Sequence, residues 1–366
     1  MKSILSSLIL SALMLASVPA AAQTTTKLTA SKANEYGLIY TLPLTGLEVT
    51  IAAEKTVSTP GEFCQYARKY LNADPILTPS VSWKITDAVI VPTAEADTGE
   101  QYLVTLKGGN GTYIMVSDQG FPLSINDDSY DAAVSQPQQP KAVKAVPTIL
   151  ETPEARQAVT PEMIQSRSSA KRAELAAAKI YELRTYRNEI ISGQADAMPA
   201  DGDAMKTALA RIDRQEEALT AMFLGTVQTS VEVKTYSVEI PLEPAEAGRS
   251  VVARLSALQG LVSPEDLSGA PIYLTLTPTS TGTLPVNEKG EPKTFPKGGV
   301  AYRVPGTASA ELTYDGRTLA TASFDVAQYG VVFGVDPALF TSRKAPSYLH
   351  FQPLTGAIRE LGTITE

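Results

Sequence analysis

The residue types that most often perform chemistry in proteins are scarce in this chain. It has one cysteine, Cys64, and one histidine, His350, among 366 residues. Structural zinc sites usually take four Cys or His ligands and catalytic sites two or three histidines, so these two residues cannot build either common site. An intramolecular disulfide needs two thiols and is also excluded. The sequence therefore predicts no metal site, no cofactor and no identifiable catalytic residue.

His350 is the only possible base for Ser–His–Asp catalysis. It lies in the alternating run 347–351, which is typical of a strand, and we interpret it as a strand histidine beside a sheet edge. The chain contains no Gly-x-Ser-x-Gly elbow. The glycine cluster at 107–111 lacks the spacing of a phosphate-binding loop, and we interpret it as a hairpin turn.

Cys64 borders the apolar stripe of a short helix predicted within residues 60–71. This position favours a half-buried, inert thiol. The alternative is a reactive thiolate, modestly favoured by Arg68 one helical turn away.

Carboxylates are the remaining candidates for catalysis. A glycoside hydrolase needs two of them about 5 to 10 Å apart across a cleft. No pair is distinguished by sequence among the five candidates, which are Asp127, Asp128, Asp131, Glu311 and Asp325. The sequence does not decide which residues would bind a ligand. Tyr302 with Arg303 and Gln328 with Tyr329 could line a ligand site or lie half-buried in strands.

The elements that must position these residues fall into four regions. Residues 23–133 form a β-rich region with one short helix, built from runs at 37–42, 46–52, 81–91, 101–106 and 112–116. Residues 134–162 carry five prolines, which predicts an extended linker. Residues 225–366 contain seven or eight short β-rich runs that suit a β-sandwich, with Asp315-Gly316 as a strong hairpin turn.

Residues 163–224 give the clearest periodic signal. Apolar residues recur at helical spacing in two long segments, so we predict an antiparallel helical hairpin. Gly193 is placed to end the first helix and Asp201 to cap the second. Folding the pair with residue numbers that sum to about 395 puts Lys179 opposite Glu216, which predicts an ion pair that fixes the register. The fold class is therefore α+β.

The first 22 residues have the pattern of a signal peptide, with Lys2, an apolar stretch, and small residues at 20–22. No later segment is long and apolar enough to span a membrane. The formal net charge of −8 argues against nucleic-acid binding. We expect an exported protein, either periplasmic or at the cell surface or secreted.

Several segments resemble an uncharacterised family of exported proteins from Bacteroidales. They are residues 178–184, 198–202, 222–225, 299–306, 327–330 and 353–357. The resemblance covers nearly the whole mature chain and implies a Gram-negative envelope. That family is a domain of unknown function, so the resemblance carries over no catalytic residue.

Three functions stay open on this evidence. The preferred one is a non-enzymatic envelope protein that binds a protein partner or a glycan through the helices and exposed sheet edges. The second is a carbohydrate-active hydrolase using an unidentified carboxylate pair, with a glycan-binding module as a further alternative. The third is an assembly component with no small ligand.

Overall fold

The computed structural model describes residues 24–28, 37–105, 113–134, 136–199, 202–340 and 346–364. The fold mixes helices with several sheets and includes a curled half-barrel, so the expectation of a mixed α and β fold is confirmed. The predicted signal peptide, the glycine cluster at 107–111 and the capping residue Asp201 lie outside the described residues.

The described strands form three antiparallel sheets. Their bounds are β1 Thr24–Lys27, β2 Leu38–Thr59, β3 Ser80–Thr105, β4 Ile114–Val116, β5 Pro122–Ile125, β6 Thr226–Glu239, β7 Arg249–Ser256, β8 Gly260–Val262, β9 Ala270–Ser280, β10 Val300–Tyr314, β11 Arg317–Val335, β12 Ser347–Phe351 and β13 Ile358–Thr363. The strand orders are β1-β3-β2-β6 in the first sheet, β11-β10-β9-β7-β8 in the second and β13-β12-β5-β4 in the third. The described helices are α1 Ala67–Leu71, α2 Pro153–Ala158, α3 Pro161–Gln165, α4 Ser169–Ser192 and α5 Asp203–Leu224.

Two very long strands, β2 and β3, replace the four separate runs expected in this part of the sequence. They pair from Leu38↔Val104 to Ser58↔Ser80, with irregularities after Thr41 and Ala52. The expected break at residues 93–100 is absent, because the whole stretch belongs to β3. Residues 93–96 pair with β2, and residues 97–100 form the irregularity after Thr41; the side chains of the stretch face solvent or lie half-buried. Polarity there reflects exposure, and the strand continues through it.

The first and second sheets pack face to face. β2 contributes Leu47, Val49 and Ile51 to a core that also contains Leu274 from β9 and Leu312 from β10. Apolar residues alternate along these strands, as expected when one face of each strand is buried. The sandwich predicted within residues 225–366 is therefore built differently, because the second sheet packs against strands from the first half of the chain.

The third sheet joins β4 and β5 to β12 and β13 from the C-terminal part of the chain. Its core contains Ile125, Leu349 and Phe351 together with Tyr40 from β2. The hydroxyl of Tyr40 accepts a hydrogen bond from the amide of Ala301 (2.8 Å) and donates one to the Ala301 carbonyl (3.1 Å). Tyr40 thereby connects β2 to the beginning of β10.

The helices form a third core with the turn that follows β2. Phe63, Ile180, Leu219 and Phe223 are among its buried members. The chain makes a close approach here, because a Cβ at Gly61 would lie 2.3 Å from the Met222 carbonyl oxygen. Only glycine fits at that distance, so the end of α5 is held against the end of β2.

The contacts between α4 and α5 correct the predicted ion pair. Glu216 pairs with Arg184 (2.6 Å), and Asp213 pairs with Arg187 (2.6 Å). Lys179 instead pairs with Glu182 on its own helix. The facing residue numbers therefore sum to 400, about one helical turn away from the predicted register. Gly193 ends α4 in a left-handed conformation, as predicted.

The segment 134–162 is not extended along its whole length, contrary to prediction. Thr152 and Thr160 cap the short helices α2 and α3, each of which has proline in its first turn. Proline is well suited to that position because its missing N–H would be unpaired there anyway. The prolines in the second half of the segment therefore start helices, and α2 packs on α5 through Glu154–Arg214 (3.1 Å). The boundaries at residues 133, 162 and 224 stay a prediction.

The turn predicted at Asp315-Gly316 is confirmed. Both residues have positive φ (49° and 70°) and connect β10 to β11. These angles match the two-residue hairpin turn that Asp-Gly favours.

Replacing Tyr40 by phenylalanine should destabilise the fold. The Tyr40→Phe variant leaves the buried amide and carbonyl of Ala301 without their partner, and unsatisfied buried groups cost about 1–3 kcal/mol. Urea unfolding should show a lower midpoint with an unchanged slope. Tyr302→Phe is the matched control, because Tyr302 is only half-buried and its hydroxyl makes no hydrogen bond that the structure records. Equal stability of Tyr40→Phe and the wild type would contradict this role.

Candidate functional site

His350, the only histidine of the chain, lies between two carboxylates on the third sheet. Its Nε2 atom is 2.8 Å from Asp127 Oδ2, and its Nδ1 atom is 3.5 Å from Glu360 Oε2. Tyr130 stacks on the imidazole with ring centroids 4.1 Å apart and planes 8° from parallel. The register of β12 and β13 places His350 directly opposite Glu360.

This arrangement differs from a Ser–His–Asp triad, because the serine contacts the aspartate instead of the histidine. The Ser129 hydroxyl donates to Asp127 Oδ1 (2.7 Å) and makes no recorded contact with the histidine. Both ring nitrogens face carboxylates, and no Ser, Thr or Cys side chain among the described residues is recorded in contact with the ring, as a nucleophile would be. The interpretation of His350 as a strand histidine is therefore the one that the geometry favours.

The surrounding hydrogen bonds shift two pKa values. The hydroxyl and amide of Ser129 and the ring of His350 donate to Asp127, with the Ser129 hydroxyl contributing most, and they lower the pKa of that carboxyl. The Tyr348 hydroxyl donates to Glu360 (2.6 Å), which raises the pKa of Tyr348. The cluster is held together by directed contacts between β12, β13 and the loop after β5.

Arg303 and Gln328, which could have lined a ligand site, are buried and half-buried respectively. The side chain of Arg303 is 6 % exposed and forms an ion pair with Asp97. Gln328 donates to the Thr45 carbonyl (2.9 Å) and accepts from the Thr45 amide (3.0 Å). These contacts join the first and second sheets, and Tyr329 is buried in the core between them.

The structure separates the five candidate carboxylates into two groups. Asp127, Asp128 and Asp131 follow β5 at the third sheet, whereas Glu311 and Asp325 lie on the second sheet. Asp131 accepts a hydrogen bond from the Ala133 amide in its own loop (2.9 Å). Asp127 is the candidate that meets a second carboxylate, Glu360, at the histidine ring, and no sequence pattern had pointed to Glu360.

Cys64 is half-buried in a short turn of helix before α1. Its environment matches the position predicted for it, and the inertness of its thiol stays a prediction.

A cavity of about 450 Å³ lies where α5, β6 and the segment 146–149 meet. Glu217, Thr220 and Leu224 of α5 line one side, and Val227 and Thr229 of β6 line another. The segment 146–149 crosses the opening, and the Gln228 side chain donates to the Val146 carbonyl (2.6 Å). We call residues 143–149 the strap and the cavity beneath it the strap cavity.

The strap cavity is bordered by an unpaired strand edge. β6 pairs with β2 on one side, and Val231 makes two backbone hydrogen bonds with Val143 of the strap on the other. Because backbone groups alternate in direction along an antiparallel strand, those of Val227 and Thr229 also point to the strap side. No backbone partner is recorded for them on that side within the described residues.

Pro147 explains why the strap leaves the strand edge. Continuing the antiparallel register from Val143↔Val231 would place Pro147 opposite Val227, and proline has no N–H to donate. Val146 and Val227 remain 72 % and 61 % exposed beside the cavity. The strap therefore leaves a short length of hydrogen-bonding edge uncovered between two exposed valines.

Sequence reasoning recognised exposed sheet edges as possible recognition surfaces but did not locate this one. The available signal was the alternation Val227, Thr229, Val231, Val233 on β6 together with proline at 147. What could not be read from the sequence was that β6 pairs with β2, nearly two hundred residues earlier in the chain.

A model of the protein family described as "Domain of unknown function (DUF4831)" matches residues 36–359. The chain belongs to this family. The match spans β2 to the beginning of β13 and so contains all three cores. Neither a search of curated proteins nor a search of solved structures found a match.

Two further findings concern the described part of the chain. None of its helices has the length and apolar character needed to cross a membrane. No group of three or more His, Cys, Asp or Glu side chains there is arranged to hold a metal ion. At His350 the two carboxylates lie on opposite ring nitrogens and do not converge on one point.

Replacing Asp127 should remove an acid-sensitive contribution to stability. The pKa of Asp127 in the folded protein lies below the ordinary value of 3.8, so its contribution is complete above that value and is lost as the pH falls through the folded pKa. Asp127→Asn should therefore be less stable than the wild type near neutral pH, and the difference should shrink as the solution is acidified.

Urea unfolding at a series of acidic pH values measures this difference. Asp128→Asn is the matched control because it removes the neighbouring carboxylate and leaves His350 and Ser129 in place. A stability difference for Asp127→Asn that stays constant down to the lowest pH would show that the Asp127 contacts are not linked to its ionisation.

Removing the partner of Arg303 should be costly. In Asp97→Asn the buried guanidinium keeps its charge but loses its carboxylate, and breaking a buried pair in this way costs about 3 kcal/mol. Chemical denaturation measures the loss, with Asp325→Asn as a control for removing an exposed carboxylate from a strand. A loss of unfolding free energy below about 1 kcal/mol would show that this ion pair contributes no more than an exposed, solvent-screened pair.

Proposed function

We propose that this chain is an exported, non-enzymatic binding protein that docks an extended segment of a partner protein at the strap cavity. The observation that carries the proposal is the uncovered edge of β6 at Val227 and Thr229. An unpaired strand edge offers alternating N–H and C=O groups, and these are complementary to the backbone of another extended chain.

The backbone edge, the valines and one acidic residue define the partner segment. Val146 and Val227 favour apolar side chains in alternate positions of the bound segment. Glu217 lines the cavity and has no ion-pair partner recorded in the described part of the chain, so a Lys or Arg side chain or an amino terminus complements it. The segment is therefore an extended, partly apolar peptide with a positive charge at one end.

A binding role is favoured over hydrolysis by the chemistry of the other polar clusters. His350 has both nitrogens directed at carboxylates, and Arg303 is engaged in the interior. A general acid in a glycoside hydrolase needs a raised carboxyl pKa. The four described carboxyl groups with clear shifts, Asp127, Glu154, Glu162 and Asp266, all have lowered pKa values.

Export is supported by the sequence. Residues 2–22 carry the charge, apolar stretch and small residues of a signal peptide. The resemblance of several segments to an exported Bacteroidales family supports a periplasmic or surface location in a Gram-negative envelope. In that setting the partner is another envelope protein.

The helices α4 and α5 support the site as a helical hairpin. The pairs Arg184–Glu216 and Arg187–Asp213 fit an antiparallel arrangement, because residue numbers rise on one helix as they fall on the other. In this arrangement α4 packs along α5, and α5 lines the strap cavity through Glu217, Thr220 and Leu224.

Affinity for peptides selected from a random library of about ten residues tests the proposal, since an extended peptide of that length, about 33 Å, is longer than the uncovered stretch of β6. Selected peptides should lack proline, alternate apolar and polar residues, and carry Lys or Arg. Thr229→Pro removes the outward N–H and should weaken binding about tenfold, equivalent to the 1.4 kcal/mol expected of lost edge hydrogen bonds. Glu217→Gln should weaken binding less and reduce its dependence on salt.

Ser237→Pro is the matched control, because Ser237 also directs its N–H away from β2 but lies beyond the strap cavity. Its affinity should equal that of the wild type. Equal loss in both proline variants would indicate general damage to β6. Failure to select any peptide, or binding that survives Thr229→Pro, would overturn the proposal.

The molar mass of the same variants, measured by light scattering, shows whether a second copy of the chain or a partner protein covers this edge. A wild-type dimer that Thr229→Pro converts to a monomer would show that a second copy covers this edge, and the partner-protein proposal would then fail.

A further inference from the structure

The outward face of the second sheet carries a shallow depression of about 540 Å³, remote in the fold from the strap cavity. Strands β7, β9, β10 and β11 supply its lining, with side chains that point away from the core between the first and second sheets. It is independent of the β6 edge and of the function proposed there.

Strand register aligns the polar side chains of this depression in two rows. One row across the sheet contains Arg249, Thr275 and Glu311. The next contains Tyr273, Thr313 and Thr318. Residues in register on one face stand about 4.8 Å apart per strand, so Arg249 and Glu311 flank Thr275 with roughly 10 Å between their backbones.

Contacts within the depression hold Arg249 and Glu311 in place. The guanidinium of Arg249 lies over the Tyr273 ring, 3.7 Å from its centroid, and this stacking is its only interaction recorded among the described residues. The Thr318 hydroxyl donates to Glu311 Oε1 (2.6 Å), which leaves the other carboxylate oxygen without a recorded partner. A donor group and an acceptor group are therefore both available at opposite ends of one row.

The chemical groups that line the depression indicate which class of ligand it can bind. Threonine hydroxyls donate and accept hydrogen bonds, Arg249 donates and Glu311 accepts, so a ligand with many hydroxyl groups can satisfy all of them. Tyr273 offers an apolar ring surface beside them. An anionic ligand is disfavoured because Glu311 and Asp315 offset the charge of Arg249 in the same depression. An apolar ligand would leave the polar side chains without partners.

We propose that this depression binds a neutral oligosaccharide, with Arg249 and Glu311 as hydrogen-bonding residues and Tyr273 as the packing surface. The site binds its ligand without cleaving it. Its carboxylates, Glu311 on β10 and Asp315 in the turn that follows β10, serve as hydrogen-bond acceptors.

Binding to an array of neutral and acidic glycans tests the inference, followed by calorimetric titration with each neutral oligosaccharide that is retained. The wild type should bind at least one neutral oligosaccharide. Glu311→Gln keeps the side-chain shape but removes the charge, and Arg249→Ala removes the donor. Each should weaken binding about tenfold, equivalent to 1.4 kcal/mol.

Tyr273→Ala should abolish detectable binding, and thermal unfolding of the same sample checks that the variant is folded. If it does not fold, Arg249→Ala and Glu311→Gln decide the question, since both side chains lie at the surface. Thr277→Ala is the matched control because Thr277 is exposed on β9 outside the depression; its affinity should be unchanged.

Three results would overturn the inference. They are no retention of any neutral glycan, retention of acidic glycans alone, and affinity that is the same in the wild type and all three depression variants. Release of shorter sugars from a bound oligosaccharide would overturn the statement that the site does not cleave its ligand. Peptide binding at the strap cavity is measured separately, so failure here leaves the other proposal standing.

Discussion

The long antiparallel pairing of β2 with β3 is the constraint on which the rest of the structure depends. A single strand, β2, supplies Tyr40 to the core under the third sheet and Val49 to the core between the first two sheets. It ends at Thr59, and Gly61 in the turn that follows lies against the last turn of α5. Side chains alternate between faces along a strand, so slipping the register by one residue would reverse the buried face in both β cores.

The irregularities in this pairing are what allow one strand to serve different cores. The register shifts after Thr41 and again after Ala52. Such irregularities bend a strand and increase its twist, which suits a sheet that curls into a half-barrel. Pro43 lies at the first of them, where a missing N–H is tolerated.

Local signals in the sequence predicted local structure well. The helical periodicity located α4 and α5 to within a few residues at most ends, Gly193 marked the end of α4, and Asp315-Gly316 marked a turn. These features depend on neighbours close in sequence. The ion pair at Glu216 was assigned to the wrong partner because periodicity fixes which face is apolar but leaves the axial offset between two helices free.

Features that depend on distant pairing could not be predicted in the same way. The polar residues at 93–100 resemble a loop until the pairing of residues 93–96 with β2 is known. In the same way, β6 becomes an edge strand only through its pairing with β2. The two candidate binding surfaces follow the same rule. Arg249, Tyr273 and Glu311 are ordinary exposed strand residues in the sequence, and only the register of three strands places them together.

The pairing of β5 with β12 has a consequence for the order of folding. Ser124 lies opposite His350 in that pairing, so the third sheet cannot form until nearly the whole chain has been synthesised. Closing a loop of that length carries an entropic cost before any contact offsets it, and folds rich in such contacts form slowly. The apolar face of β4 and β5 therefore stays uncovered until β12 is available, and such exposed surface favours aggregation during folding.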